Sequence, residues 1–337
     1  MTERYRIGYV LTKHIAVFDL FREYARQEFV KLDIGNLSQD RGFFDIIIHK
    51  ITKLLISSDP DDSDKLAQFE AFLAQHPESI VIDPLEYIRP LVHRGEMLRM
   101  LKKSRWAENS TDALFYLPKS AIVRPLSLET VLQSGLKFPL VCKPIAGSAS
   151  VHSHQILLLP SAEAFAKRLS GELEDYINQN QSCLLQEFVN HDGIIFKCFV
   201  IGNKSVHVAR PSMKNLKEDE DVHIFDSQRI PKSFAWESNL PSKSEKWDTL
   251  FEISPSQDML DYKNSLLNES RLNAIATSIG RQSNLTLFGF DVIIEASAQK
   301  LYIVDINYFP GYDNIPDFNA EFLKTLLDKL RARSRIN

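Results

Sequence analysis

Two aspartates and an asparagine near the carboxyl end of the chain could bind a cation. Asp291 lies in the apolar run FGFDVII and Asp305 in the apolar run LYIVDIN, with turn residues EASAQK between them. Opposed residues of an antiparallel hairpin have positions of constant sum, so a turn centred near Ala298 places Asp291 across from Asp305, with Cβ atoms about 5 Å apart. Asn307 projects from the same face because strand side chains alternate with period two.

Two facing carboxylates in an apolar setting repel each other unless a cation lies between them. Oxygen ligands suit Mg²⁺, which keeps several waters and takes further ligands from phosphate. In the alternative interpretation, one aspartate caps a turn and the other is solvated at a sheet edge. Spacing alone leaves that open, although an unpaired carboxylate inside YIVDIN would be costly. The pattern favours a magnesium site that handles phosphate.

Two lysines at apolar strands could bind that phosphate. Lys143 ends the strand FPLVCK and enters GSAS, whose small side chains let backbone N–H groups approach a phosphate. The stretch matches neither the Walker nor the dinucleotide-binding pattern, and a solvated lysine after a flexible loop remains an alternative. Lys197 lies in IIFKCFVIG, where it needs a partner anion or must extend its head group to water.

Composition indicates a soluble globular chain with a local basic patch. The 337 residues predict two domains, or three small ones sharing a site, and 44% hydrophobic with 25% charged residues is ordinary for such a chain. A net charge of −4 argues against a nucleic-acid or membrane-surface protein. Three cysteines without a CxxC pair and no apolar leader or span indicate a cytoplasmic protein, with the nucleus as a second compartment.

Hydrophobic periodicity predicts an α/β chain, with an α+β character, in three parts. Strands at 5–11, 43–48 and 79–83 alternate with helices at 15–30 and 65–75, which favours a small parallel sheet. A helix at 91–103 leads to a second unit with strands at 121–124, 138–143, 155–159 and 183–189 and helices at 127–134 and 161–178. An antiparallel hairpin joined by Asn203 and Lys204 follows, then a helix at 262–282, the Asp291/Asp305 hairpin and a helix at 317–332.

Three domains are predicted on these patterns. They are an N-terminal domain at 1–90, a central one at 91–190 and a C-terminal one at 191–337. The segment 217–258 is polar with little periodicity and is predicted to be a surface lid.

Seven motifs in order resemble the inositol-tetrakisphosphate 1-kinase family, also called inositol 1,3,4-trisphosphate 5/6-kinases, within the ATP-grasp enzymes. They are GYVLTK, HKIT, DPLEYIRPLVHRGEML, VCKP with the SH of His154, QEFVNHDGIIFK, RPSMKNL, and FGFDVII with DINYFPGY. The resemblance covers nearly the whole chain. It implies a three-part ATP-grasp architecture with a central antiparallel sheet, and an enzyme that transfers the γ-phosphoryl group of ATP to a hydroxyl of an inositol tris- or tetrakisphosphate.

The resemblance also implies roles for individual residues. Asp291, Asp305 and Asn307 would hold two Mg²⁺ ions, with Asp305, Asn307 and Lys197 at the reacting centre. The residues expected to contact ATP are Arg94, Lys143, Gln186, Glu187, Phe188, Val189, Lys197, Ser212 and Ser227. Those expected to face the inositol phosphate are Lys13, Lys50, His154, Lys197, Asn307 and Gly311, with Arg210 and Lys214 adding positive charge.

Three positions depart from the family pattern. Lys53 follows HKIT where an acidic residue is usual, Ala149 stands near a usual glycine, and Pro231 replaces a serine in the lid region. Two other functions stay open: an ATP-grasp ligase that joins a carboxylate to an amine, and a scaffold that binds inositol phosphates without turnover. The intact Asp291/Asp305/Asn307 set favours an active enzyme, and a monomer is the default expectation.

Overall fold

The computed structural model describes residues 4–11, 27–39, 42–103, 113–145, 154–167, 172–179, 182–234, 250–252, 254–312 and 315–334. These residues form three sheets with helices packed on them. The mixed architecture agrees with the predicted fold class, since a small parallel sheet comes first and antiparallel sheets follow.

The first sheet is parallel and has the strand order β2-β1-β3-β4. Its strands are β1 (Arg6–Leu11), β2 (Glu28–Lys31), β3 (Ile46–Lys50) and β4 (Ile80–Ile82). Helix α1 (Pro60–Ala74) connects β3 to β4, and it begins where the Asp59 side chain accepts from the backbone N–H of Asp61. Buried strands need continuous apolar runs, which explains why the sequence predicted β1, β3 and β4 but not the partly exposed β2.

The central sheet is antiparallel and has the order β11-β7-β6-β8-β5. Its strands are β5 (Ser120–Val123), β6 (Leu140–Pro144), β7 (Gln155–Leu159), β8 (Cys183–Glu187) and β11 (His223–Asp226). Its helices are α4 (Leu128–Gln133), α5 (Ala162–Lys167) and α6 (Glu172–Gln179). Helices α2 (Leu85–Ile88) and α3 (Arg94–Lys102), joined by the 3-10 turn Arg89–Val92, lead from the first sheet to this one.

The third sheet is also antiparallel, with the order β12-β10-β9-β13-β14. Its strands are β9 (Ile194–Ile201), β10 (Lys204–Met213), β12 (Phe251–Glu252), β13 (Leu287–Ile294) and β14 (Leu301–Tyr308). Helices α7 (Gln257–Leu266), α8 (Glu269–Ser283) and α9 (Phe318–Ser334) accompany it. Gly202 and Asn203 form the β9–β10 turn, one residue earlier than predicted, because Gly202 adopts the positive φ of 59° that the turn requires.

Several predicted elements differ from the structure. The helix expected at 15–30 is wrong at its end, since β2 begins at Glu28, and residues 12–26 lie outside the described part. The helix expected at 262–282 is interrupted, because the Asn268 side chain caps a new helix by accepting from the N–H of Arg271. The lid segment contains β11, an edge strand of the central sheet, and residues 235–249 of it lie outside the description.

One hydrophobic core joins the first and third sheets. Ile46, Ile48 and Ile82 of the first sheet are buried in the same cluster as Phe196 and Phe288 of the third. The helical face of the central sheet has a core of its own around Phe165 and Tyr176. The first and third sheets therefore share a packed seam, whereas the central sheet has a separate core.

Two further expectations concern the whole chain. None of the helices in the described part combines the length and apolarity that crossing a bilayer requires. Cys142, Cys183 and Cys198 are buried free thiols, as expected from their number and spacing.

Candidate active site

The β13–β14 hairpin brings the two aspartates together as predicted. Asp291 is the direct partner of Asp305, and Asn307 donates to Asp305 through Nδ2 at 3.1 Å, so Asn307 shares its face. A β-bulge makes this pairing, since Val292 pairs with Ile303 and Val304 is the extra residue. Without the bulge, regular pairing would place Val304 opposite Asp291.

The bulge also changes which positions of β14 face the core. Leu301 and Ile303 are buried before it, whereas Ile306 and Tyr308 are buried after it. Asp305 and Asn307 consequently face the cleft. The carbonyl oxygen of Val304 accepts from Lys143 Nζ at 3.4 Å, so the extra residue also contacts a predicted phosphate ligand.

Lys197 has the partner anion that its apolar strand requires. Its Nζ lies 2.6 Å from Asp291 Oδ2, and the Asp291 side chain is 11% exposed. Burial alone would lower the pKa of Lys197, but the nearby Asp291 and Asp305 carboxylates outweigh it and raise that pKa. Lys197 therefore remains a cation at neutral pH and sits directly against the carboxylate pair.

The hairpin donors fit magnesium that is shared with phosphate. Among the described residues, no three His, Cys, Asp or Glu side chains converge on one point. A cation here would therefore have two carboxylates, the Asn307 amide oxygen, water and phosphate oxygens as its ligands. This donor set is the usual one for Mg²⁺ at a nucleotide site.

A cavity of about 350 Å³ lies between the central and third sheets, and we call it the donor cavity. All nine residues predicted to contact ATP line it: Arg94, Lys143, Gln186, Glu187, Phe188, Val189, Lys197, Ser212 and Ser227. Asp291 and Asp305 line it as well, and so does Pro231, one of the departures from the family pattern. The structure thus brings together residues from six strands, although the nucleotide contacts themselves stay predictions.

Unpaired donors at the donor cavity show what its occupant must offer. Gln186 Nε2 and Arg210 Nε are both buried and have no hydrogen-bond partner. Lys143 is partly enclosed, and burial, followed by the positive charge of Arg94, lowers its pKa to about 8. That enclosure rules out the solvated-lysine interpretation. A ligand rich in acceptor oxygens and nitrogens, such as a nucleotide, would satisfy these groups.

His191 is a donor-cavity residue that the sequence analysis did not assign. Its Nδ1–H donates to the Val189 carbonyl at 2.7 Å, and its Nε2 accepts from the Ser212 hydroxyl at 2.8 Å. Burial lowers the pKa of His191 to about 4, which keeps the ring neutral. The histidine lies within the quoted motif QEFVNHDGIIFK, so its position next to Val189 was the available signal.

A second cavity of about 400 Å³ lies between the first sheet and the β13–β14 hairpin, and we call it the acceptor cavity. Its cations come from the first sheet, helix α3 and the third sheet: Lys50, Arg94, Lys197 and Arg210. Asn307 and Gly311 also line it, as predicted for the inositol-phosphate side. Thr52 of the HKIT motif lines it too and was not assigned from the sequence.

The two cavities meet at four shared residues. Arg94, Lys197, Arg210 and Asp305 line both of them. Three cations and a carboxylate therefore stand at the junction. A group passing from one cavity to the other would remain in contact with positive charge throughout.

The remaining predicted residues lie elsewhere. Lys13 and the GSAS loop with Ala149 fall outside the described residues. His154 lines neither cavity, but it lies close enough to the junction to be influenced by its charges. Burial and the positive charge of Arg94 lower the pKa of His154, against the opposing effect of the Asp226 and Asp305 carboxylates. Lys214 is half-buried and lines neither cavity.

Lys53, the departure from the family pattern after HKIT, points away from the acceptor cavity. Its side chain is 84% exposed and lies 3.8 Å from Asp62. Lys53 therefore contributes nothing to the lining of the acceptor cavity.

Comparison with solved structures defines the class of protein. The ATP-grasp ligase PsnB, complexed with a minimal precursor, superposes with a TM-score of 0.58 at 12% identity over 97% of this chain and 99% of that one. D-alanine–D-alanine ligase from Bacillus anthracis superposes with a TM-score of 0.55 at 10% identity over 99% of this chain and 100% of that one. At such identities the likeness concerns the fold alone, and the fold is ATP-grasp.

Sequence comparison then gives the family. Residues 111–328 match the inositol 1,3,4-trisphosphate 5/6-kinase ATP-grasp domain, and residues 6–88 match the pre-ATP-grasp domain of the same enzymes. Inositol-tetrakisphosphate 1-kinase of Xenopus laevis is 28% identical over 94% of this chain and 77% of its own length. Inositol-tetrakisphosphate 1-kinase 1 of Arabidopsis thaliana is 29% identical over 99% and 98%.

The chain therefore belongs to the inositol 1,3,4-trisphosphate 5/6-kinase family. By this membership it is an ATP-dependent inositol polyphosphate kinase, and the ligase alternative is set aside.

Proposed function

We propose that the protein transfers the γ-phosphoryl group of Mg-ATP from the donor cavity to a hydroxyl of an inositol tris- or tetrakisphosphate in the acceptor cavity. The junction of the cavities carries this proposal, because Arg94, Lys197, Arg210 and Asp305 line both. Phosphoryl transfer requires the donor and acceptor in line, with the charge of the moving group neutralised. A shared wall rich in cations meets both requirements.

The residues of the donor cavity would bind and orient the nucleotide. The backbone from Glu187 to Val189 would hydrogen-bond the purine, with His191 fixing the Val189 carbonyl. Lys143 and Arg94 would hold the phosphates, since both line this cavity and lie close enough for Arg94 to lower the pKa of Lys143.

Asp291, Asp305 and Asn307 would hold the magnesium, which we propose to be two ions. When bound, magnesium supplies charge neutralisation between the β- and γ-phosphates. In the protein itself, Lys197 and Arg210, which line both cavities, would hold the incoming phosphoryl group at the junction. Preorganised positive charge of this kind stabilises the transition state without rearranging the site.

The acceptor cavity would select a polyanion. Lys50, Arg94, Lys197 and Arg210 line a space of about 400 Å³ in a chain whose net charge is −4. A substrate with several phosphates would meet most of these cations at once. We propose that Lys13 adds to the same field, that His154 faces the substrate as a neutral hydrogen-bonding ring, and that the enzyme is a cytoplasmic monomer.

The test is ADP release with Mg-ATP across a panel of inositol tris- and tetrakisphosphates, amino acids and peptides, with the products separated by anion-exchange chromatography. We expect a more highly phosphorylated inositol, whose retention identifies the acceptor hydroxyl. Turnover that required a carboxylate and an amine would contradict the proposal. Tight inositol-phosphate binding without ADP release would instead indicate a scaffold.

A further inference from the structure

A buried hydrogen-bond network crosses the seam between the first and third sheets. Its centre is the hydroxyl of Tyr308 on β14, a residue that is 5% exposed. This hydroxyl lies 2.8 Å from the His49 carbonyl oxygen and 3.0 Å from the Ile82 carbonyl oxygen, and it accepts from the Asp83 N–H at 2.8 Å. All three partners lie on, or directly after, strands β3 and β4 of the first sheet.

The network also crosses the seam in the opposite direction. The Asp83 carboxylate, from the end of β4, accepts from the backbone N–H groups of Thr286 and Leu287 at 2.8 and 3.0 Å. His49 Nε2 donates to the Asp83 carbonyl at 2.8 Å, which ties β3 to the same point. His49 and Asp83 are 0% and 1% exposed, so water does not compete for these bonds.

The network lies directly beside the acceptor cavity. Lys50, Asn307 and Tyr308 all line this cavity, whereas His49, which precedes Lys50, is fully buried and does not. The Tyr308 hydroxyl bonds the His49 carbonyl oxygen and so contacts the strand that carries Lys50. One wall of the cavity comes from the first sheet and the other from the hairpin, and Tyr308 bonds one to the other.

Apolar packing alone would hold these sheets together without fixing their register, because it is not directional. Hydrogen bonds in a dry seam are directional, and a buried group that loses its partner costs about 1–3 kcal/mol. The Tyr308 hydroxyl therefore disfavours any displacement of the Lys50 strand relative to the hairpin.

We infer that Tyr308 is a positioning residue for the phosphoryl acceptor. Through its hydroxyl it sets the distance between Lys50, which holds the inositol phosphate, and Asp305 and Asn307, which hold the magnesium. The inference rests on the proposed placement of the acceptor in this cavity. Tyr308 does not line the donor cavity, so the inference concerns the acceptor alone.

The chain offers a matched control for the test. Tyr312 is also 5% exposed and donates its hydroxyl to the Val200 carbonyl at 2.8 Å, but both belong to the C-terminal part of the chain. Tyr308→Phe and Tyr312→Phe therefore remove the same buried hydroxyl, and only the first removal breaks a bond across the seam. KM for inositol 1,3,4-trisphosphate, KM for ATP, kcat and Kd by calorimetry are measured for both variants.

For Tyr308→Phe we expect the KM and Kd for the inositol phosphate to rise about 10-fold or more, with the KM for ATP within 2-fold of wild type. We also expect more free phosphate per phosphorylated product, because water replaces a displaced acceptor. Tyr312→Phe should change neither the KM and Kd for the inositol phosphate nor the amount of free phosphate per phosphorylated product. Equal effects of the two variants, or equal changes in both substrates' KM, would overturn the inference.

A second variant and a binding measurement cover two other outcomes. If Tyr308→Phe does not fold, Asp83→Asn serves instead, because it weakens the same network from the first sheet. It should raise the KM and Kd for the inositol phosphate by a smaller factor and leave the KM for ATP unchanged. No such difference between the two substrates would overturn the inference. If the wild-type chain binds inositol phosphate without turnover, the proposed function fails, whereas the Kd comparison still decides the role of Tyr308.

Discussion

The donor cavity and the acceptor cavity share four lining residues but are built from different parts of the chain. Every residue that lines the donor cavity lies at or beyond Arg94, within the central and third sheets and their connections. The acceptor cavity also takes Lys50 and Thr52 from the first sheet. The proposed nucleotide site therefore uses only residues from Arg94 onward, whereas the proposed acceptor site also depends on the seam between the first sheet and the hairpin.

The two cavities also differ in how their polar groups are satisfied. The donor cavity contains buried donors without protein partners, Gln186 Nε2 among them, which await a ligand. Beside the acceptor cavity, the Tyr308 hydroxyl and the Asp83 carboxylate are hydrogen-bonded across the seam, although His49 Nδ1 has no partner. The unpaired Arg210 Nε belongs to both cavities, so the difference concerns the groups that join the two walls of the acceptor cavity, which already have protein partners.

The largest effect is expected at the junction, where one substitution should impair both cavities. Asp305→Ala removes a predicted metal ligand from both cavities. Loss of an outer-shell partner alone costs about 10- to 100-fold, so we expect kcat to fall by more than about 100-fold. Steady-state kinetics with saturating Mg-ATP measures this, and circular dichroism should show an unchanged fold. Near-wild-type turnover would make the metal assignment wrong.

Lys50→Ala should affect the acceptor alone. A hydrogen bond to a charged group contributes about 1.5–3 kcal/mol, which corresponds to a rise of about 10- to 100-fold in the KM for the inositol phosphate. The KM for ATP should stay unchanged, because Lys50 does not line the donor cavity. Lys53→Ala is the matched control, since its side chain is 84% exposed and lies outside the cavity lining. Equal effects on both substrates would undo the assignment.

Gln186→Leu should affect the nucleotide alone. It removes an unpaired buried donor, so the free protein should be as stable as wild type or more so, while the KM for ATP rises about 5-fold. The KM for the inositol phosphate should not move. Thermal unfolding and the two KM values measure this, with Gln133→Leu on the exposed side of α4 as control. A drop in stability without a change in the KM for ATP would contradict the prediction.

The last prediction concerns stability in acid, where the two cavities should behave alike. Burial lowers the pKa of His49, behind the acceptor cavity, and of His191, at the donor cavity, to about 4. The unfolded chain protonates these rings below about pH 6.5, while the folded chain does not until about pH 4. Stability should therefore fall as the pH drops through this window, by roughly 3 kcal/mol for each histidine.

Denaturant unfolding at pH 7 and pH 5 measures this dependence. Replacing either histidine by asparagine should flatten the difference between the two pH values. An unchanged difference in both variants would show that other groups govern acid stability.

The sequence predicted most of the site because its signals are local. The period of two and the constant sum across a hairpin placed Asp291 opposite Asp305, and the structure confirms that pair. The register is shifted by one beyond the bulge, where Ile294 pairs with Leu301, because nothing in the run LYIVDIN marks Val304 as the extra residue. The centre of the turn lies half a residue before the predicted Ala298, and the extra residue of the bulge restores the pairing of Asp291 with Asp305.

The unpredicted residues are those whose partners lie far away in the chain. Tyr308 and His49 are 259 positions apart, and each stands in an apolar run where it reads as an ordinary core residue. Long-range polar contacts of this kind follow from how the sheets pack, which periodicity within a strand does not describe. His191 was within a recognised motif, but its bond to Ser212 joins two separate strand ends.

The bulge at Val304 has a consequence for how relatives of this protein can vary in length. Between Leu301 and Asp305 the strand already holds one residue more than its partner, so loss of a single residue there would restore regular pairing and leave Asp305 facing the cleft. Between Asp305 and Asn307 the strand has no extra residue, so inserting or deleting one residue there would turn Asn307 toward the core. Across homologous chains, single-residue gaps are expected on the turn side of this aspartate and not on its other side.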